Sequence, residues 1–72
     1  MTIDTNIDLD SSVYSCAEYH DPDLELFYID GRGFRLVTDV EPSEYLRLCN
    51  NPDDETVGRL LASHYNEDHR RF

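Results

Sequence analysis

The stretch LELFYIDGRGFRLV, Leu24 to Val37, decides how this chain folds. Two runs rich in Leu, Phe, Tyr, Ile and Val flank a Gly-Arg-Gly centre, the pattern of two antiparallel strands joined by a tight turn. With Gly31 and Arg32 as the central pair, Gly31 supplies the positive φ of a type II′ turn. Register follows from that turn: Ile29 opposite Phe34, Tyr28 opposite Arg35, Phe27 opposite Leu36, and Leu26 opposite Val37. One face then carries Phe27, Ile29, Phe34 and Leu36 and is expected to be the core. The other carries Leu26, Tyr28, Arg35 and Val37 and is expected to be mixed and partly exposed.

Outward from the hairpin, His20-Asp21-Pro22-Asp23 reads as a turn around Pro22. Ser12 to Tyr19 is rich in strand formers and predicts a first strand. Residues 1–11 alternate loosely around Ile3, Ile7 and Leu9 and predict an edge strand or a frayed tail. Beyond Val40 the period changes. Pro42 suits the first turn of a helix running to about Asn50, with Tyr45, Leu46 and Cys49 on one side. Asn51 is expected to cap a second helix with Pro52 at its first position. Val57, Leu60, Leu61, His64 and Tyr65 make an apolar stripe along it. Asp53, Asp54 and Glu55 then sit at the positive end of the helix dipole, and His69, Arg70 and Arg71 at the negative end. The expected fold is α+β: a small antiparallel sheet of three strands with a central hairpin, followed by two C-terminal helices packed on one face. It forms one domain over residues 1–72.

Size sets the margin. Leu, Ile, Val and Phe make up 18 of 72 residues, above the roughly 20% below which a highly charged chain stays disordered. No apolar run approaches the ~18 residues that span a bilayer, and the acidic start MTIDTNIDLD predicts no secretory leader. Cys16 and Cys49 stand far apart in no disulfide or metal pattern, which fits a reducing cytoplasm.

Charge is the most pronounced feature. Sixteen acids face six arginines and no lysine, for a net charge of −10. Residues 1–31 hold eight acids and no base; residues 32–72 hold eight acids and all six arginines. Such a chain is repelled by nucleic acid and by anionic membrane surfaces, and attracted by a basic protein.

Chemistry-bearing motifs are missing from the pattern. The metal-ligand candidates are His64, Asp68, His69 and Cys49, but His64 and His69 are five apart and do not share a helical face. No metal or cofactor is expected. Cys16 lies on a strand among acids, which blunts a thiol nucleophile. Asp30 to Arg35 (DGRGFR) leads into a strand, not into the helix that a phosphate-cradling loop needs. These features predict a binding protein and no enzyme. Tyr45 to Tyr65 resembles a helix-turn-helix, but Asp53, Asp54 and Glu55 occupy the helix start that would meet phosphates, which argues against direct DNA binding.

Alternate residues of a strand point the same way, roughly 6.6 Å apart. Asp21, Asp23 and Glu25 follow that alternation, with Asp30 beyond, at a spacing similar to phosphates along a nucleic-acid strand. Tyr14, Tyr19 and Tyr28 lie in the same strands. Asp21, Asp23, Glu25 and Asp30 are thus the expected partner-binding acids, with Tyr19 and Tyr28 as anchors. Asp53, Asp54 and Glu55 form a second acidic cluster. In size, acidity and α+β character the chain resembles small acidic phage inhibitors, the anti-CRISPR and anti-restriction proteins, several of which mimic nucleic acid. That resemblance implies stoichiometric inhibition in the cytoplasm of an infected prokaryote. The target would be a basic nucleic-acid-binding protein, either a CRISPR effector or a restriction enzyme. The alternative is an acidic accessory or antitoxin-like module that binds a basic protein without mimicry, its acidity also fitting a halophilic proteome.

Overall fold

The computed structural model describes residues 5–70. Seven elements follow in order: β1 (Asn6–Asp8), β2 (Tyr14–His20), β3 (Asp23–Tyr28), β4 (Gly33–Val37), α1 (Pro42–Asn50), α2 (Asp54–Ser63) and β5 (Asn66–Arg70). The strands form one antiparallel meander in the order β1-β2-β3-β4-β5. The fold is α+β with two helices, as expected. The sheet has five strands where three were expected, and the helices precede the last strand where they were expected to end the chain. Residues 1–4 of the expected edge strand or tail, and Arg71, lie outside the described residues. No helix among the described residues is long and apolar enough to cross a membrane.

The hairpin forms with a wider loop than the Gly31–Arg32 turn. Phe27 pairs with Phe34, Leu26 with Arg35, Glu25 with Leu36 and Leu24 with Val37, two positions away from the expected register. The Gly31 N–H donates to the Tyr28 carbonyl at 3.1 Å, and the Arg32 N–H donates to the Asp30 carboxylate at 3.0 Å. Gly31 does take a positive φ, of 74°, and Gly33 takes one of 124°. A shift of two residues leaves every side chain on its expected face. Which face is inside is the reverse of the expectation. Leu24, Leu26, Tyr28 and Val37 are buried, whereas Ile29 is 62% exposed and Phe27, Phe34 and Leu36 are half-buried.

The acids account for the inversion. Asp23 and Glu25 share the parity of Phe27 and Ile29, so burying that face would strand two carboxylates in the core. Arg35, on the buried side, is accommodated instead. Its Nε donates to the Tyr14 hydroxyl at 3.1 Å, one terminal nitrogen donates to the Asn66 side-chain Oδ1 at 2.6 Å, and the Asp68 carboxylate lies 3.6 Å away. Both helices cover this inner face. Tyr45 and Leu48 of α1 and Val57 and Leu60 of α2 join Ala17, Tyr19, Leu24, Leu26, Val37 and Val40 in one core. Tyr19 and Tyr45 stack at 4.4 Å between ring centroids.

Two local readings change. Asp53, not Asn51, caps α2: its carboxylate accepts from the Thr56 N–H at 2.9 Å, the short reach that makes aspartate a good N-cap. Pro52 precedes the cap, and Asn51 instead closes α1, its N–H donating to the Arg47 carbonyl. The second helix also stops at Ser63, so His69 and Arg70 lie on a strand. Asn66 donates from its side chain to the carbonyls of Leu61, at 2.9 Å, and His64, at 3.2 Å, groups that the ended helix leaves open. The chain then pairs with the bare edge of β4, satisfying backbone groups that would otherwise lack partners.

His64, expected half-buried on the helical stripe, clamps the two helices. Its Nε2 meets the Glu44 carboxylate at 2.5 Å. Glu44 also accepts from the Glu41 N–H at the start of α1. The His64 hydrogen bond, opposed in part by burial, holds the Glu44 carboxyl below the usual glutamate range. A carboxyl lowered on folding stabilises the fold above its unfolded value, about 4.3, and that contribution is lost as pH falls through the lower folded value. Glu44→Gln should therefore lower the melting temperature at neutral pH, with the gap to wild type closing under acid. Thermal melts across a pH series would read this. A gap that stays constant with pH would show that the carboxylate charge is not what His64 recognises.

Candidate functional site

The face of the sheet opposite the helices is open. On β2 it carries Cys16, Glu18 and His20; on β3, Asp23, Glu25 and Phe27; on β4, Phe34 and Leu36; on β5, Glu67 and His69; on β1, Asn6 and Asp8. The alternation comes from the pleat: on β3 the residues pointing outward are half-buried between the buried Leu24, Leu26 and Tyr28. On β2 an irregularity between Tyr14 and Cys16 re-aims the strand, so that Tyr14, Ala17 and Tyr19 all reach the core.

Aromatic rings run across the middle of this face. Phe27 and Phe34 lie 5.7 Å apart between ring centroids, and Phe34 stacks on the His69 ring at 4.9 Å. Beside them Gly31 and Gly33, lacking side chains, leave a shallow depression between Cys16, Phe27 and Phe34. Asp8, Glu18, Asp23, Glu25 and Glu67 surround the apolar centre. Every arginine among the described residues lies elsewhere: Arg32 in the hairpin loop, Arg47 and Arg59 on the helices, Arg35 and Arg70 on the inner side. The negative charge of this face is therefore not cancelled within it.

The expected site residues scatter. Asp23 and Glu25 stand together on the open face. Asp21 lies next to them in the turn, where its carboxylate accepts from the Tyr19 hydroxyl at 3.1 Å. Asp30 sits in the loop at the far end of β3, 3.9 Å from the Arg32 guanidinium. Tyr19 and Tyr28 are core residues, 5% and 4% exposed, so neither offers its ring to a partner. The Tyr19 hydroxyl donates to the Val40 carbonyl at 2.6 Å, and burial, then the Asp21 hydrogen bond, pushes its pKa up to about 12. Tyr28 packs against Tyr14, and the Arg70 guanidinium lies 4.3 Å over its ring.

Asp53, Asp54 and Glu55 have local partners. Asp53 is the helix cap, and the Thr56 N–H holds its carboxyl below the usual range. Asp54 accepts from the hydroxyls of Ser11 and Ser12 and from the Ser12 N–H, contacts that lower its pKa and tie the β1–β2 loop to α2. Glu55 pairs with Arg59 one turn on, at 2.7 Å. The groove between α1 and α2 mixes Arg47 and Arg59 with Glu44, Asp53 and Glu55, and has no consistent sign.

Sequence reasoning missed Glu18, His20 and Asp8, which join Asp23 and Glu25 only through pairing. Glu18 lies directly opposite Glu25, and His20 opposite Asp23. The His20 Nε2 lies 3.0 Å from the Glu18 carboxylate and 3.6 Å from that of Glu25. The candidates His64, Asp68, His69 and Cys49 are not gathered into a group of three; among the described residues Glu18, His20 and Glu25 are. Comparison with protein-family models, with curated proteins and with solved structures finds no match for this chain.

Proposed function

We propose that this chain is a non-enzymatic inhibitor that binds a basic nucleic-acid-binding protein through the open face of its sheet. The observation that carries the reading is the sorting of charge among the described residues: acids and no arginine on the open face, around half-buried Phe27, Phe34 and Leu36. Half-buried aromatic residues with uncancelled charge around them are the layout of an interface centre and rim. Carboxylates on alternate positions of β3 and on neighbouring β2 offer a basic groove the charge spacing of a phosphate chain. The setting is the cytoplasm of a prokaryotic host, and the partner is a CRISPR effector or restriction enzyme, as for the anti-CRISPR and anti-restriction proteins that the chain resembles.

The apolar centre favours a second reading, since a pure phosphate mimic has no use for Phe27 and Phe34. An accessory or antitoxin-like module would seat those rings in an apolar cleft of a basic protein and leave its nucleic-acid site alone. Capture from a prokaryotic lysate, repeated with nuclease and across a salt series, identifies the partner; excess DNA or RNA then separates the readings. A mimic is displaced by nucleic acid. A module bound elsewhere is not, and that result would remove mimicry.

A further inference from the structure

The geometry points to a divalent transition-metal site at Glu18, His20 and Glu25, on the open face of the β2–β3 ladder. The three residues sit on paired strands, with Glu18 and Glu25 in register and His20 two positions along from Glu18 on the same face. One donor atom from each lies within 4.8 Å of the others. A cation bound tetrahedrally at zinc distances needs its ligand atoms about 3.3 Å apart. The His20 nitrogen already stands 3.0 Å and 3.6 Å from its two carboxylate neighbours, so rotation of the exposed His20 and half-buried Glu18 and Glu25 side chains brings three ligand atoms to that spacing without moving the backbone.

Energetics point the same way. Two carboxylates directly opposite on an antiparallel pair repel each other. Among the described residues neither Glu18 nor Glu25 has an arginine partner; only the His20 ring stands between them. A dication replaces that repulsion with attraction. One imidazole nitrogen with two carboxylate oxygens suits Zn2+, Co2+ or Ni2+, whereas Mg2+ and Ca2+ prefer all-oxygen shells. Three protein ligands on an exposed face leave a position open to water or to a partner's side chain. The site stands on its own geometry and holds whether or not the face binds a basic protein.

The test is titration of the metal-free protein with Zn2+ by calorimetry and with Co2+ by visible absorption. The expected result is one ion per chain at micromolar affinity, with a melting temperature that rises with added Zn2+. His20→Ala and Glu25→Gln should each weaken uptake by more than the roughly 10–100-fold that an outer-shell partner contributes. All three side chains are on the solvent side of the sheet, and circular dichroism checks that each variant folds. His69→Ala, on the same face but set against Phe34 and Glu67 and not among the three ligands, should bind as wild type does. So should Cys16→Ser. Absence of stoichiometric uptake, uptake undiminished in His20→Ala, or loss in Cys16→Ser would each overturn the site.

Discussion

Gly33→Val should be the most damaging single substitution in the sheet, leaving much of the population unfolded at moderate temperature. Gly33 opens β4 with φ at +124°, a region that β-branched residues do not enter. A Cβ there would stand 2.1 Å from the His69 carbonyl oxygen and 3.0 Å from the Arg70 Cα, both backbone atoms of the partner strand. No rotamer relieves such a clash, so β5 would have to separate from β4. Backbone strain of about 1–3 kcal/mol adds to overpacking of about 1–3 kcal/mol. A small domain has little more than the low end of the roughly 5–15 kcal/mol typical of folded proteins. Gly31→Ala is the matched control: φ is +74°, nothing lies within 4 Å, and only the left-handed strain of about 1–2 kcal/mol applies. Urea unfolding of the two variants reads the difference. Equal midpoints would mean that β5 does not lie against β4 as described.

That dependence on β5 shows where sequence reading stops. Asn66-Glu67-Asp68-His69-Arg70 has no Val, Ile, Thr, Tyr, Phe or Trp, and nothing in it announces a strand. It is one because β4 otherwise ends the sheet with an unpaired edge, a tertiary demand with no local signature. β3 and β4, by contrast, carry their pattern in Leu, Phe, Tyr and Val, and their two faces were legible as sets. The choice between the faces depended on weighing Glu25 and Asp23 against Arg35. Apolar bulk favoured the side of Phe27 and Ile29; the cost of burying two carboxylates favoured the other, and it decided. Tyr19 and Tyr28 followed that choice into the core. The Glu18–Glu25 opposition was not legible, since it depends on the β2–β3 register across the turn at Pro22 and on the irregularity near Tyr14.

The hairpin's acids therefore have a structural role before any functional one: they select the outward face. Position separates the two roles further. Asp53 and Asp54 are committed to a helix cap and a loop joint, and Glu55 to Arg59, so removing Asp54 should lower stability through the lost Ser11 and Ser12 contacts. Among the described residues Asp23 and Glu25 accept no such backbone or serine bonds. Their only described partner is the exposed His20, which reaches Glu25 alone.

Charge reversal at Asp23 and Glu25 should then abolish partner binding while the fold persists. Arginine at position 25 would face Glu18 across the ladder, turning a repulsive cross-strand pair into an attractive one. Arginine at position 23 would stand opposite the exposed His20 at the strand end, where solvent screens the pair. The double variant should accordingly melt near the wild-type temperature. At an interface, removing one partner of a desolvated charge pair costs about 2–5 kcal/mol, or roughly thirtyfold to several thousandfold in affinity. Reversal adds repulsion from the basic partner to that loss. Asp54→Ala is the counter-arm, expected to lower the melting temperature and to leave the affinity of the folded protein unchanged. Both affinities must be measured at one ionic strength, because rim charges fade as salt rises. Undiminished affinity in the Asp23→Arg, Glu25→Arg protein would reduce the open face to a solvated surface. Lost affinity in Asp54→Ala at full folding would instead move the binding site to the α2 end of the molecule.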